Sequence, residues 1–478
     1  MYVQQFFVRG LSHSSYLLGG SKTCAIIDPR RDVQIYIDAA EEMGLRITHI
    51  LQTHLHADFV SGHMDLAERT GATIVVPASG GSKFEHMGVA EGDSFDIDHL
   101  KVSVLETPGH TPEHISYVVV DTSRGSEPAS VFPGDTLFVG DVGRPDLFPG
   151  QAERLANSLY TSLHDKLLKL PDFCEVYPAH GAGSLCGRAM SAKRTSTIGY
   201  ERLYNSALQV AEVDAFVHSL THDMPGAPDH FSRCSAINGA GPATVNSLPR
   251  IVPLLPAAFA ERMRQPDTIV VDLRGYEAFG GQHVPGAYHI TAKGNLPTFA
   301  GWVLPPDKNI LLVAESPADV HDGAIWLRRV GLDHIVGYLD GGMNAWANAG
   351  FEFSSVPQLS MSALTNLMGG QKSMVLLDTR GPSEFASSHI EGSINIPAPD
   401  LRTRHTELDP SLPVAVICNT GNRSSIGVSL LLRAGFTQVY NVAGGVTAFS
   451  AAGLAPECAR CVAPHCPGFE GSAGRQNS

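Results

Sequence analysis

Short apolar runs alternate along the first half of the chain with longer stretches in which apolar residues recur every three or four positions. The runs at 25–27, 47–51, 73–76, 102–105, 115–120 and 175–177 are brief and rich in Val, Ile and Leu, so they predict strands. The stretches between them predict helices, which makes the class α/β. A long helical pattern covers 198–220. After it, 222–256 turns rich in Gly, Pro, Asn and Ser and reads as a domain boundary.

Beyond that boundary the pattern repeats. Val270-Val271-Asp272-Leu273-Arg274-Gly275 returns as Leu376-Leu377-Asp378-Thr379-Arg380-Gly381, and Phe279, His283 and Gly286 return as Phe385, His389 and Gly392, all at an offset of 106. Arg329 and Gly331 match Arg433 and Gly435 at 104, and Gly341-Gly342 with Gly350 match Gly444-Gly445 with Gly453 at 103. Two copies of one domain explain this near-constant offset. Each copy strings β-branched runs between helical segments, which predicts a parallel sheet with covering helices. The expected organisation is a first domain at 1–246, repeats at 251–357 and 358–456, and a tail at 457–478.

A chain of 478 residues with 43% hydrophobic content has room for about three domains with filled cores. Its formal charge of −14 and the lack of any Lys/Arg-rich run leave no positive field for phosphate backbones, so nucleic acid is excluded as an expected partner. Residues 1–20 lack both a basic leader and an apolar core, and no later stretch approaches the roughly 20 apolar residues that span a bilayer. A cytoplasmic protein with no membrane partner is expected. The eight cysteines are dispersed, which predicts reduced thiols with individual roles rather than a disulfide framework.

Thr53-His54-Leu55-His56-Ala57-Asp58 directly follows the strand at 47–51, and alternate positions there can turn imidazoles and a carboxylate to one centre. His110, Asp135 and His180 each follow further apolar runs, and loops at the ends of neighbouring strands can converge. With Gly109-His110-Thr111-Pro112 and Pro133-Gly134-Asp135-Thr136, these residues make about half the chain resemble the metallo-β-lactamase superfamily, which implies an αββα sandwich. Hydrolases of that superfamily carry His-x-His-x-Asp-His, whose last histidine helps to hold a second zinc ion. Here that position is Phe59, which has no lone pair to offer.

What remains looks like the persulfide dioxygenase branch. That resemblance implies one Fe(II) per chain held by His54, His110 and Asp135, with O2 as co-substrate. It leaves His56, Asp58 and His180 as residues that orient ligands or handle protons, or as alternative ligands. It also places Gly143-Arg144-Pro145-Asp146 on the substrate side, with Arg144 either binding an anionic part of the substrate or making an ordinary ion pair. Cys186, in a glycine-rich stretch after His180, either approaches the metal or packs behind the site.

In the last repeat an apolar run leads into Cys418-Asn419-Thr420-Gly421-Asn422-Arg423-Ser424-Ser425, followed by a helical pattern. A tight loop at a helix N-terminus aims backbone N–H groups at sulfur and favours a thiolate, and Arg423 can add charge for an anionic sulfur donor or acceptor. The match is to the rhodanese family, supported by Asp378, Arg380, His389, Gly392 and Gly444-Gly445. Phosphatase loops place five residues between cysteine and arginine, whereas four stand here. In the preceding repeat the offset of 104 sets Ala314 against Cys418 and Asp319 against Arg423, so that copy is expected to be catalytically silent.

These resemblances together imply an enzyme of sulfide detoxification. Its iron site would oxidise low-molecular-weight thiol persulfides to sulfite and thiol, and Cys418 would give or use thiosulfate. A homo-oligomer is expected, with the silent repeat a candidate for the contact. Two other readings stand beside this one: a dinuclear zinc thioester hydrolase of the glyoxalase II type with an accessory sulfurtransferase, and a persulfide-sensing interaction protein. In the tail, Cys458, Cys461, His465 and Cys466 read as an exposed segment, sulfur-handling thiols or a small metal site.

Overall fold

The computed structural model describes residues 1–453 apart from 223, 225 and 370–373, so Cys458, Cys461, His465 and Cys466 lie outside the described residues. The chain divides into two compact units, one of Met1–Leu248 with Arg328–Gly331, the other of Pro249–Leu327 with the chain from Leu332 onward. No described helix is long and apolar enough to cross a membrane.

In the first unit two six-stranded sheets each keep chain order. One comprises β1 Tyr2–Val8, β2 His13–Gly19, β3 Thr23–Ile27, β4 Arg46–Leu51, β5 Thr73–Pro77 and β6 Met87–Val89. The other comprises β7 Ser94–Ile97, β8 Leu100–Glu106, β9 Ile115–Asp121, β10 Ser130–Phe132, β11 Glu175–Val176 and β12 Ser196–Thr197. Alternation along the strands decides what each face meets. Tyr16, Leu18, Ile27, Leu51 and Val75 point inward against Val102, Val104, Tyr117, Val119 and Phe132 of the second sheet. Leu17, Ile26, Ile50 and Val76 face outward onto the helices Gln34–Glu42 and His63–Thr70. Val118, Val131 and Val176 pack likewise on the helices Ala152–Thr161 and Val213–Thr221. The result is the αββα sandwich. Burial on both faces is why the strands read as continuous apolar runs.

Two expectations change here. The helical pattern at 198–220 is broken into Ile198–Tyr204 and Val213–Thr221, because Asn205 leaves the helix and donates from Nδ2 to Asp141 O (3.0 Å) and Glu201 Oε2 (2.9 Å). The boundary segment contains a further helix, His230–Ala240, whose Ser, Asn and Gly content disguised it. From it buried Asn238 donates to His56 O and Phe59 O, both at 2.8 Å, and accepts from the Ser61 N–H at 2.9 Å. That side chain ties down the loop carrying the His-x-His-x-Asp motif.

The second unit holds two five-stranded parallel sheets. The first contains β13 Val252–Leu254, β14 Thr268–Asp272, β15 Tyr288–His289, β16 Asn309–Val313 and β17 Ile335–Leu339, in the order 13-17-16-14-15. The second contains β18 Gln358–Leu359, β19 Val375–Asp378, β20 Ile394–Asn395, β21 Val414–Ile417 and β22 Val439–Val442, in the order 18-22-21-19-20. The identical order is the structural form of the sequence repeat. In each copy the central strand ends at the compared position, β16 before Ala314 and β21 before Cys418, and a 12-residue helix follows, Pro317–Arg328 or Asn422–Arg433.

Candidate metal centre and sulfur-transfer loop

The motif loop leaves β4 and meets the loops after β8, β10 and β11. His54, His110 and Asp135 are brought together, fully buried, with one ligand atom of each within 4.8 Å of the others. His54 Nε2 lies 3.8 Å and His110 Nε2 3.3 Å from Asp135 Oδ2. Among the described residues neither nitrogen has a hydrogen-bond partner.

Hydrogen bonds on the far side of each ring fix which nitrogen carries the proton. Thr53 Oγ1 donates to Asp28 Oδ2 (2.8 Å), an acceptor-only carboxylate, so its oxygen accepts from His54 Nδ1 at 2.9 Å. His110 Nδ1 lies 2.9 Å from the Arg144 carbonyl oxygen, which can only accept. Both imidazoles therefore turn a bare Nε2 lone pair into the centre. Burial holds both rings below the usual histidine range and so neutral, as a metal ligand must be. Two orphaned lone pairs beside a buried carboxylate fit a divalent metal ion: unfilled, such nitrogens would each carry a desolvation cost of about 1–3 kcal/mol. A group with one carboxylate and two imidazoles suits a first-row metal.

Asp28 was not singled out by the sequence. It sits just after β3 with φ of +49°, an unfavourable conformation for a non-glycine residue, and the Thr53 N–H and Oγ1 both donate to its carboxylate at 2.8 Å. Asp28→Asn tests the tautomer argument with almost no change of shape. An amide facing Thr53 Oγ1 turns the hydroxyl proton toward His54 Nδ1 and so puts a proton on Nε2. Metal affinity, read by chelator competition, is expected to fall about 10–100-fold; unchanged affinity removes the argument.

His114 was missed as well, though it stands four residues after His110. It accepts from the Asp135 N–H at Nε2 (2.9 Å) and stacks on His54 with ring centroids 4.7 Å apart. Burial lowers its pKa to about 3, with His110 adding to the effect. Gly134, beside it, has φ of +51°, and a Cβ there would fall 2.5 Å from His114 Nε2 and 2.6 Å from Thr53 Oγ1. The turn that presents Asp135 has room for glycine alone.

His180 bridges two carboxylates, from Nδ1 to Asp135 Oδ1 at 2.7 Å and from Nε2 to Asp58 Oδ2 at 2.8 Å. Burial by itself would strip its proton, but Asp135 and Asp58 outweigh burial and hold the imidazole well above its ordinary value. Asp135 in turn stays well below the carboxylate range, because His180 overcomes the opposing cost of burial. His56 lies beside this group, its Nε2 3.0 Å from Asp28 Oδ1. Cys186 is buried with its sulfur within 4.8 Å of ligand atoms of Asp58 and His180, so it approaches the centre; burial and then the two aspartates push its thiol well above the usual range. Phe59, fully buried, packs between His13 and His56 with centroids at 4.1 and 4.5 Å. An apolar ring thus occupies the position at which the hydrolases carry their further histidine.

Of the two roles read for Arg144 the structure shows the ion pair, buried rather than at the surface. Its guanidinium is buried and bidentate on Asp146 (both bonds 2.7 Å), with a further bond to Leu185 O, while its carbonyl orients His110. The residue acts on the site through its backbone.

In the last repeat, Gly421 caps the helix Asn422–Arg433 with φ of +110°, and its N–H donates to Cys418 Sγ at 3.1 Å. Ser424 Oγ lies 3.4 Å from the same sulfur but also within reach of Gly421 O and Asn441 Oδ1. Asn419 Nδ2 donates to Glu384, Thr420 is half-buried, and Asn422 opens the helix. Arg423 does not point its charge at open solvent: its guanidinium is bidentate on Glu384 at 2.5 and 2.8 Å. Glu384, missed in the sequence, is drawn down to about 2, the arginine outweighing burial. The preceding repeat has Ala278 at the matching position, and that asymmetry was the available signal. By contrast, Asp378–Arg380 and Asp272–Arg274 form the same bidentate pair, and each arginine also bonds a carbonyl at 2.6 Å. A feature kept in both copies belongs to the fold rather than to sulfur chemistry.

Comparison with known proteins agrees with both halves. Residues 8–180 match the metallo-beta-lactamase superfamily, and 255–349 and 360–452 each match the rhodanese-like domain. A mitochondrial persulfide dioxygenase of Bos taurus is 32% identical over 189 residues, covering 38% of this chain and 68% of that protein. A hydroxyacylglutathione hydrolase of Rhizobium meliloti is 39% identical over 146 residues, covering 30% of this chain and 52% of that protein. The crystal structure of a metallo-beta-lactamase from Staphylococcus aureus superposes with a TM-score of 0.64 at 36% identity, covering 71% of this chain and 98% of that one. With a persulfide dioxygenase-like metallo-β-lactamase domain ahead of tandem rhodanese-like domains, the chain belongs to the fused persulfide dioxygenase–sulfurtransferase family.

Proposed function

We propose that the first unit is a mononuclear iron dioxygenase acting on low-molecular-weight thiol persulfides, and that Cys418 in the second unit transfers sulfane sulfur. The carrying observation is the pair of bare, buried Nε2 atoms of His54 and His110 turned toward Asp135. The balanced reaction is R–S–SH + O2 + H2O giving R–SH and sulfurous acid, which ionises to sulfite. His54, His110 and Asp135 would hold Fe(II), which would supply the redox chemistry for reaction of O2 with the persulfide sulfur. The chain's own residues prepare that site. Thr53 and the Arg144 carbonyl hold the two rings, His180 holds Asp135, and the buried Phe59 ring fills the position at which the hydrolases carry their further histidine.

The likeness to hydroxyacylglutathione hydrolases and the nearby Asp58–His180–Cys186 group sustain a rival reading, a two-metal thioester hydrolase. Metal analysis of anaerobically purified protein, followed by oxygen uptake with a panel of thiol persulfides, separates the two. The dioxygenase reading expects about one iron per chain and one O2 consumed per sulfite formed. Two zinc ions with thioester hydrolysis and no oxygen uptake would overturn it.

A further inference from the structure

The silent repeat reaches the working thiol. Tyr276, at the start of its helix Tyr276–Gly281, lays its ring against the loop of the last repeat: a Cβ on Gly421 would fall 2.9 Å from Tyr276 Cζ, 3.0 Å from Cε1 and 3.3 Å from Cε2. Gly421 is the residue whose N–H holds Cys418 Sγ. The phenol also lies near the Gly444 N–H, with Glu277 beside it. Gly444 precedes the segment whose Val446 and Thr447 amides donate to Cys418 O (2.8 Å) and Asn419 O (3.1 Å). One ring therefore touches both loops that form the sulfur site, and Cys418 beneath them is 1% exposed. Burial and then Glu277 raise the phenol above its usual value, so it stays neutral.

This contact is anchored rather than incidental. At the far end of the helix Asn422–Arg433, the Arg433 guanidinium stacks 3.9 Å from the Tyr288 ring and bonds Gly286 O. Both ends of the helix that supports the thiol thus rest on the silent copy. In the last repeat the position matching Tyr276 is Pro382, which has no ring of that reach.

We propose that Tyr276 is the specificity-determining cover of the Cys418 site, favouring small sulfur donors and acceptors over bulky ones at the sulfur carried there. The inference rests on the reading of Cys418 as a sulfur carrier. In that reading the Cys418 thiolate attacks the sulfane sulfur of thiosulfate; the S–S bond to the sulfonate breaks and its electron pair leaves as sulfite. The persulfide left on Cys418 is discharged when sulfite, or a thiolate, attacks its terminal sulfur; the bond from that sulfur to Cys418 Sγ breaks and its electron pair returns to Cys418 as the thiolate. A cover at Gly421 acts on the second step by size.

The test uses the full chain as wild type, Tyr276→Ala, Tyr276→Leu and Tyr276→Phe. Protein loaded with thiosulfate is discharged by sulfite or by glutathione, and Cys418 is separately alkylated with iodoacetamide or with a bulky maleimide, the site located by mass spectrometry. Tyr276→Ala and Tyr276→Leu are expected to raise the glutathione-to-sulfite rate ratio, and the maleimide-to-iodoacetamide ratio, by about tenfold. Tyr276→Phe keeps the ring and is expected to keep both ratios. Unchanged ratios in a folded Ala or Leu variant overturn the cover. If wild-type Cys418 takes up no sulfur atom while the alkylation ratio still responds to Tyr276, the sulfur-carrier reading fails and the cover stands as a gate to the thiol alone.

Discussion

His54→Ala, His110→Ala and Asp135→Ala are each expected to lower bound metal and persulfide-dependent oxygen uptake by more than about a hundredfold. The reasoning is that loss even of an outer orienting partner costs 10–100-fold, and these residues supply the ligand atoms themselves. The three variants are not equivalent in what they leave behind. Removing either imidazole leaves the Asp135–His180–Asp58 contacts in place, whereas removing Asp135 strands His180 between one carboxylate and a void, since two of its three short contacts go to Asp135. Asp135→Ala should therefore also destabilise the first unit, by about 3–5 kcal/mol, as breaking a buried pair does. Sulfur transfer by Cys418 should persist in the histidine variants, because its sulfur is held by Gly421 and Ser424, both in the second unit. Metal content by elemental analysis and oxygen uptake by electrode decide the matter; a variant that keeps both disproves the ligand assignment.

In the first unit β3, β4, β5, β8, β9 and β11 were legible because their apolar residues are buried and form short runs, whereas β1, β2, β6, β7 and β12 were not read from the sequence. The repeat in the second half was legible for a different reason: two copies that share a backbone must share the residues that shape its turns. What the sequence hid was set by contacts distant along the chain. Asp28 precedes Thr53 by 25 positions and reaches His54 through it, and Asn238 holds His56 O from 182 positions away. The His230–Ala240 helix was hidden because Ser, Asn and Gly are poor helix formers whose unfavourable propensity is overridden by packing. Arg144 and Arg423 show the converse. Each stands where a substrate anion would be welcome, yet each has an acid close in sequence or space, Asp146 and Glu384, that takes the guanidinium. Residue type proposes a role for an arginine; only the position of the nearest carboxylate assigns it.

Cys418→Ser is expected to abolish transfer from thiosulfate and to sulfite, since a serine hydroxyl is not ionised at neutral pH and forms no persulfide. The substitution is close to isosteric, and the Gly421 N–H that now meets sulfur at 3.1 Å can meet an oxygen instead, so folding should survive. Oxygen uptake from a supplied low-molecular-weight persulfide should continue, with sulfite accumulating in place of thiosulfate. Restoring a thiol to the silent copy by Ala314→Cys is expected to give little transfer. There the helix Pro317–Arg328 carries Asp319 in its first turn, where its carboxylate accepts from Ser316 Oγ at 2.6 Å, so the end of the helix that would favour an anionic sulfur already faces a negative charge. Arg423, at the equivalent place in the last repeat, contributes the opposite sign even though Glu384 offsets it. Ala314→Cys combined with Asp319→Arg should recover more transfer than either change alone, because charge repulsion and the missing nucleophile are separate obstacles. Chromatography of sulfite and thiosulfate on the same preparations reads all of these outcomes. Undiminished thiosulfate formation in Cys418→Ser, after subtraction of the spontaneous reaction, would falsify the assignment and move the chemistry to another thiol, with Cys186 beside the metal centre the first to examine.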